Sequence, residues 1–311
     1  MTDADVSQPL IKQSDTDGLG TINIAQNELA TNAAEIAALR QYIDERGQRL
    51  AAKLALRNKN QNADSLRLDE QYLKKLDSSI KKVTSFIKRL KSLTESQKDA
   101  LSKEMCQLNL SKYLSEVAVA FIEAKLKMND IACALHLCSL MHQSYGEFSA
   151  LLFEQWQKLL NLKKDEKVSN PSKLRVDLRF FAELVTVGIL PQKESLSLLG
   201  NQLTILTVHD KEHANISIIS SFCKHCGEDF EDLVPLKYEK LAHKHGIQIP
   251  NNTIYSVERQ KAVKTLFREY FRSLVQHLLN EHKEIQRLER QNRKIYQVFS
   301  FFFVVMLIVN S

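Results

Sequence analysis

Residues 73–91, LKKLDSSIKKVTSFIKRLK, decide the fold class. Leu73, Leu76, Ile80, Val83, Ile87 and Leu90 recur in alternating steps of three and four, a spacing that lines one stripe of an α-helix. Beside them stand Lys74 and Lys75, Lys81 and Lys82, and Lys88 and Arg89, each pair one heptad after the last, with Lys91 closing the run. At about 100° per residue these pairs fall away from the apolar seam. The pattern predicts one basic helix over residues 69–92, its seam packed on another helix and its cations in solvent. The stretch holds seven Lys or Arg against a single acid, Asp77, an excess equal to the formal +6 of the whole chain. The rest of the chain is therefore balanced, and the positive charge concentrates on one face. A seam that must pack beside such a face suits a module that presents a surface. Lys74, Lys75, Lys81, Lys82, Lys88, Arg89 and Lys91 are its candidate nucleic-acid or partner-binding residues.

At 311 residues the chain is long enough to bury roughly three-quarters of its unfolded surface. Charged residues at 26% and hydrophobic residues at 44% are ordinary for a folded protein. Only 8 Gly and 5 Pro are present, and that scarcity of turn formers favours helices with short connections. Met1–Gly20 is polar and lacks the apolar core of a secretory signal. Five cysteines, an odd and sparse set, read as reduced thiols of the cytosol or nucleus.

Residues 1–24 read as a disordered leader. Residues 25–60 read as a helical extension interrupted at Gly47, with an apolar stripe too thin for a core element. Residues 61–297 form the main module, a series of amphipathic segments near 95–107, 111–127, 130–144, 147–163, 171–187, 192–207, 212–226 and 232–245, closed by a long helix from 256. Residues 298–311 are a divergent apolar tail. Local chemistry marks the breaks. Asn129 is placed to cap the segment that follows it. Asn170-Pro171 offers a cap followed by Pro at the first helical position, and Gly188 ends that helix. Pro191 starts the next, and Gly227 and Gly246 stand as C-caps. Helices paired antiparallel every 35–45 residues or so belong to the helical-hairpin repeat class. The expected fold is all-α, with HEAT-like antiparallel hairpins forming a right-handed-type solenoid. Residues 174–187 are apolar on more than one face, as an inner helix of such an array must be.

Enzyme-like motifs are few. Cys223-Lys-His-Cys226 has the spacing of a zinc or redox pair. A structural zinc site needs a second pair, and a redox dithiol needs a strand–helix–strand setting; neither is evident, so the bland reading is two half-buried cysteines at a helix end, with His225 exposed. His209-Asp-Lys-Glu-His213 matches the H-x-x-E-H pattern of inverted zinc peptidases, but it straddles an apparent loop, with Asp210 placed to cap residues 212–226. No phosphate-binding glycine loop and no nucleophile elbow occurs. The expectation is no catalytic residue, no metal and no cofactor. The basic face can neutralise nucleic-acid phosphates. With Phe86 its one aromatic, it is not built for base stacking. The bland alternative is a solvated face or a nuclear-import signal. The tail Val298–Val309, VFSFFFVVMLIV, spans about 18 Å as a helix, against a hydrocarbon core of roughly 30 Å, so it is not expected to cross a bilayer.

Several strings resemble one family: LDSSIKKVTSFIKRLK (76–91), LNLSKYLSE (108–116), KLRVDLRFFAELVTVGI (173–189), IISSFCKHCGED (218–229) and ERQNRKI (289–295). Over residues 40–297 they look like the first module of the nonsense-mediated mRNA decay scaffolds, the family of regulator of nonsense transcripts two. That module is similar to the middle domain of initiation factor four-G, an array of HEAT-like repeats. The resemblance implies a non-enzymatic scaffold in mRNA surveillance, bridging a helicase and a partner bound at exon junctions. It also implies a cytoplasmic location, with shuttling to the nucleus as a further option. The family's known contact regions for both partners lie in other modules, so no contact residue carries over. Past Gln297 the family continues polar and charged where this chain turns apolar, which reads as a truncated form. The runner-up reading is a tail-anchored helical protein on a membrane surface, and a zinc-dependent hydrolase is a remote third.

Overall fold

The computed structural model describes residues 16–164 and 166–309. Among these the α-helices are, in chain order, α1 (Thr16–Gln61), α2 (Glu70–Lys75), α3 (Ile80–Leu90), α4 (Lys98–Gln107), α5 (Leu114–Glu123), α6 (Ile131–Ser144), α7 (Phe148–Leu159), α8 (Pro171–Thr186), α9 (Gln192–Val208), α10 (Ile216–Phe230), α11 (Leu236–His245) and α12 (Val257–Val309). No strand occurs among the described residues; one isolated parallel bridge joins Asp77 and Leu108. The fold is all-helical, as the spacing predicts.

Two units make up the chain: Met1–Ala52 with Val234–Asn251, and Lys53–Leu233 with Asn252–Ser311. In the first, α11 lies on α1. Tyr42 and Tyr238 stack at 4.0 Å, and Glu35 accepts from Lys244 Nζ at 2.6 Å and pairs with His245 Nε2 at 2.7 Å. Gly246 ends α11 at φ +63°, the left-handed cap expected of it. Residues 1–15 of the predicted leader lie outside the described residues. From Thr16 the chain is already helical, and α1 runs unbroken through Gly47, which has open space around it. A lone glycine lowers helix propensity by about 1 kcal/mol and does not by itself break a helix this long.

The second unit is layered. α4, α6, α8 and α10 pack in succession, and α12 joins α10. α3, α5 and α7 form a parallel succession against them, and α9 lies on α8 and α12. Helices in both central positions are buried almost all round. In α8 these are Leu174, Leu178, Phe180, Phe181, Leu184 and Val185, as the two-sided pattern predicts; in α6 they include Ile131, Ala134, Leu137, Cys138 and Met141. Trp156 of α7 packs at 5.6 Å and 5.3 Å on the rings of Phe180 and Phe181. Asn170 caps α8 by accepting from Lys173 N–H, Pro171 follows at the first turn, and Gly188 turns the chain at φ +73°.

The last turns of α1 do what their thin apolar stripe did not predict. Arg57 donates to the Thr186 carbonyl at 2.6 Å, and Asn60 donates to the Val187 carbonyl at 2.8 Å. Asn60 Oδ1 accepts from Ser139 and Gln143, both at 2.7 Å. Lys53 pairs with the buried Asp229 at 2.5 Å. Residues 53–60 thus belong to the main module and not to the extension predicted over 25–60.

The basic helix predicted over residues 69–92 is two helices. Asp77 N–H donates to the Gln107 carbonyl at 3.0 Å, and the Asp77 carbonyl accepts from Asn109 N–H at 2.9 Å. Asn109 also donates to the Leu73 carbonyl, and the Asp77 carboxylate accepts from Ser79 N–H at 2.8 Å. These bonds claim the backbone groups that an unbroken helix would use. The helical phase restarts after the break. Val83, Phe86 and Leu90 form the buried seam, Ile87 is half-buried, and Ile80 stands 70% exposed. Two caps also move. Asn129 does not cap α6: Asp130 stands at the helix start, and its carboxylate accepts from Lys127 and Glu95 N–H and from no N–H of α6. Gly227 lies inside α10, where an added Cβ would meet Leu233 Cδ2 at 2.9 Å, so close packing explains that glycine and not a cap.

Phe86→Ala should lower the unfolding free energy by about 3–5 kcal/mol, and Ile80→Ala by less than about 0.5 kcal/mol, in urea titrations. Equal losses at the two positions would put Ile80 back in the seam.

Candidate interaction surface

The seven cations divide by what they touch. Lys74 pairs with Glu70 at 3.6 Å, Lys82 with Asp77 at 2.5 Å, and Lys91 with Glu123 at 2.6 Å; Arg89 pairs closely with Glu104. The Lys82 hydrogen bond, then the Ser79 backbone bond, hold the Asp77 carboxyl below its ordinary range, and the same contact raises Lys82. Glu104 and Glu123 come from α4 and α5, outside the stretch whose charges were counted. Lys75, Lys81 and Lys88 are exposed and have no ion-pair partner among the described residues. Lys81 and Lys88 sit two turns apart on one face of α3; Lys75 precedes the break, at the end of α2. What remains is a sparser positive strip than the sequence count implies. Lys88 and Arg89 also lie in the last turn of α3, where cations complement the exposed carbonyls of the helix end.

The enzyme-like motifs resolve into packing. His209 ends α9, and His213 takes φ +53° in the turn that follows, so the two histidines do not share a helix. His213 is buried, 5.3 Å from the Tyr270 ring and 5.1 Å from His277, and its Nε2 bonds Ser273 Oγ at 3.1 Å. Asp210 accepts from the N–H groups of Ala214 and Asn215 and from the Tyr270 hydroxyl at 2.6 Å. It pins this turn to α12 and does not cap a helix beginning at 212. Glu212 is exposed and pairs with Lys167 at 3.2 Å. A cavity of about 300 Å³ beside this turn is lined by Lys163, Lys167 and Lys211 together with Glu166 and Glu212, charges of both signs without a nucleophile–base pair.

Cys223 and Cys226 lie inside α10 and not at its end, because the helix continues through Gly227 to Phe230. Burial first, then the neighbouring Glu231, raises the Cys223 thiol; burial first, then Glu183 and Asp229, raises Cys226. Metal binding and nucleophilic attack need the thiolate, and this setting favours the thiol. Among the described residues no group of three or more His, Cys, Asp or Glu is placed to hold a metal ion. No helix among them is long and apolar enough to cross a membrane, although α12 carries the apolar tail to Val309.

The profile of the MIF4G domain family matches residues 74–288. The chain is 48% identical over 241 residues to human "Regulator of nonsense transcripts 2", covering 77% of this chain and 19% of that protein. The mouse protein of the same name is 46% identical over 256 residues, covering 82% and 20%. The chain thus spans about a fifth of the length of these curated relatives. Among solved structures, the first MIF4G domain of human nonsense mediated decay factor UPF2 superposes with a TM-score of 0.77 at 46% identity, over 84% of this chain and 85% of that one.

Glu231, against Cys223, gives a pH test of the buried site. Burial pushes its carboxyl up to about 7, with the Cys223 and Lys264 contacts opposing, from an ordinary 4.5. Between those values the folded chain holds a proton that the unfolded chain releases, so stability falls as pH rises from about 4.5 through about 7. Glu231→Gln removes the ionisable group. It should stabilise the protein at pH 8 by on the order of 2 kcal/mol and leave it level with the parent at pH 4.5 in urea titrations. An advantage of equal size at both pH values would refute the assignment.

Proposed function

Because the chain belongs to the MIF4G domain family, a family of HEAT-like helical repeats, we propose that it is a non-enzymatic scaffold in nonsense-mediated mRNA decay. The observation that carries this reading is the 46% identity, over most of both chains, to a domain solved from a nonsense mediated decay factor. The surface chemistry agrees. The polar motifs are absorbed into packing, and the free charge lies on a solvent-facing strip. As partners we propose other mRNA-surveillance proteins, among them the helicase and the exon-junction partner of the family. RNA phosphates are the proposed ligand of Lys75, Lys81 and Lys88, with Lys74, Lys82, Arg89 and Lys91 held back by their acids. A cytoplasmic location with shuttling to the nucleus goes with this role.

A phosphate-directed strip binds with strong salt dependence and weak sequence preference. The test has two arms. Depleting the protein from its own cells should lengthen the half-life of a reporter mRNA carrying a premature stop codon relative to its normal counterpart; unchanged half-lives would sink the surveillance role. Separately, the triple variant Lys75→Glu, Lys81→Glu, Lys88→Glu should fold normally and bind single-stranded RNA more weakly. Its plot of log affinity against log salt should be shallower by about two to three in slope. Equal binding and slope would assign the strip to protein partners or to solvent.

A further inference from the structure

The apolar seam of α12 continues past the body that covers its first turns. In steps of four and three it reads Phe267, Phe271, Leu274, Leu278, Glu281, Ile285, Leu288, Asn292 and Ile295. Phe267 is buried against Phe222 at 5.8 Å, and Phe271 and Leu274 are half-buried. From Leu278 onward every described side chain of α12 is exposed, and Leu278, Ile285, Leu288 and Ile295 each show about half their surface to water. A 3.5-residue apolar repeat on a free helix is the pattern of a coiled-coil partner face. Two polar residues, Glu281 and Asn292, interrupt it, and neither has a partner among the described residues.

We propose that residues 278–295 pair with the same segment of a second copy of this chain, antiparallel, about a two-fold axis passing between Gln286 and Arg287. Polar and charge complementarity select both the occupant and its direction. In this register Leu278 faces the partner's Ile295 and Ile285 faces the partner's Leu288. Glu281 then faces the partner's Asn292, so each amide donates to a carboxylate across the seam, and the two-fold axis repeats every contact. The flanks agree, with His282 beside the partner's Glu289 and Glu284 beside the partner's Gln291. A parallel in-register pair does the opposite. It sets Glu281 against the partner's Glu281 and Glu284 near the partner's Glu289, like charges in both places. The antiparallel register leaves no polar seam residue without a complementary partner. It also leaves in place the pairs Glu284 makes with Arg287 and His282 with Gln286. The overlap is about 27 Å long.

Sedimentation velocity of the full chain over a concentration series tests this. The parent should show a monomer–dimer equilibrium, and Leu288→Asp should be monomeric. Asn292→Lys places a cation opposite the partner's Glu281 and should tighten the dimer about tenfold, whereas Asn292→Glu should loosen it about tenfold. Both positions are exposed in the single chain, so circular dichroism melting of the body should not change in any of the three variants. A parent that stays monomeric at its solubility limit overturns the proposal. So does association indifferent to Leu288→Asp, which would place the contact in the apolar tail. Loosening by Asn292→Lys would overturn the antiparallel direction, because a parallel pair sets the two lysines side by side.

Discussion

The carbonyls at the C-terminal end of α8 must be satisfied inside the protein, and the last turns of α1 satisfy them. A helix leaves its final carbonyls without intrahelical donors. Water cannot serve here, because Thr186 and Val187 are almost wholly buried. Arg57 and Asn60, one turn apart, reach the Thr186 and Val187 carbonyls. Asn60 then accepts from Ser139 and Gln143 of α6, so one amide ties three helices together. Thr186 also bonds the Tyr255 hydroxyl, 3.1 Å away, which brings the approach to α12 into the same network. Losing a buried partner of this kind costs the full desolvation of the groups left behind, about 1–3 kcal/mol for each. Gly188 completes the arrangement. Its backbone turns at φ +73° with Arg57 Cγ and Gln61 Cγ each 3.4 Å from where a side chain would begin.

Features set by neighbours in sequence were legible, and features set by distant residues were not. Asn170 acts through a side-chain bond three residues on, and Pro171, Gly188 and Gly246 through their own backbone conformations, so their reading needed no tertiary knowledge. The two-sided burial of α8 was visible because a helix apolar on several faces has few other places to be. The break at residues 76–79 was hidden because Asp77 pairs with residues 107–109, and nothing within 73–91 announces that contact. Reading through the break carried the helical phase across it, which put the exposed Ile80 in the seam and left Phe86 out of the core. Asn60 and Arg57 looked like surface residues because periodicity scores polarity and cannot see a buried carbonyl. The charge count missed Glu104 and Glu123 for the same reason, since both neutralise cations from other helices.

The motifs that most resembled active-site chemistry turned out to be joints. The H-x-x-E-H string is a tight turn whose histidine and aspartate lock onto α12 through Ser273 and Tyr270. The C-x-x-C string fills the interior of α10 with small polarizable side chains. In an array of stacked helices each joint needs a few polar anchors to fix register, and residue types with versatile hydrogen bonding are the ones used. Function in such an array therefore resides on faces, and a face is defined by which charges the interior has not already claimed.

The bend between α2 and α3 has a consequence for how this surface can be handled. Its geometry is held mainly by a backbone graft from residues 107–109, with the Asp77–Ser79 bond the local contribution from the stretch that displays the lysines. A synthetic peptide of residues 70–91 lacks that graft. Free of it, the peptide is at liberty to wind as the single uninterrupted helix its spacing advertises, with the cations in a different order around the axis. Its affinity for any ligand would report on that other object. The lysine display is a property of the folded module, inherited from a strand-like contact in a protein that otherwise has none among its described residues.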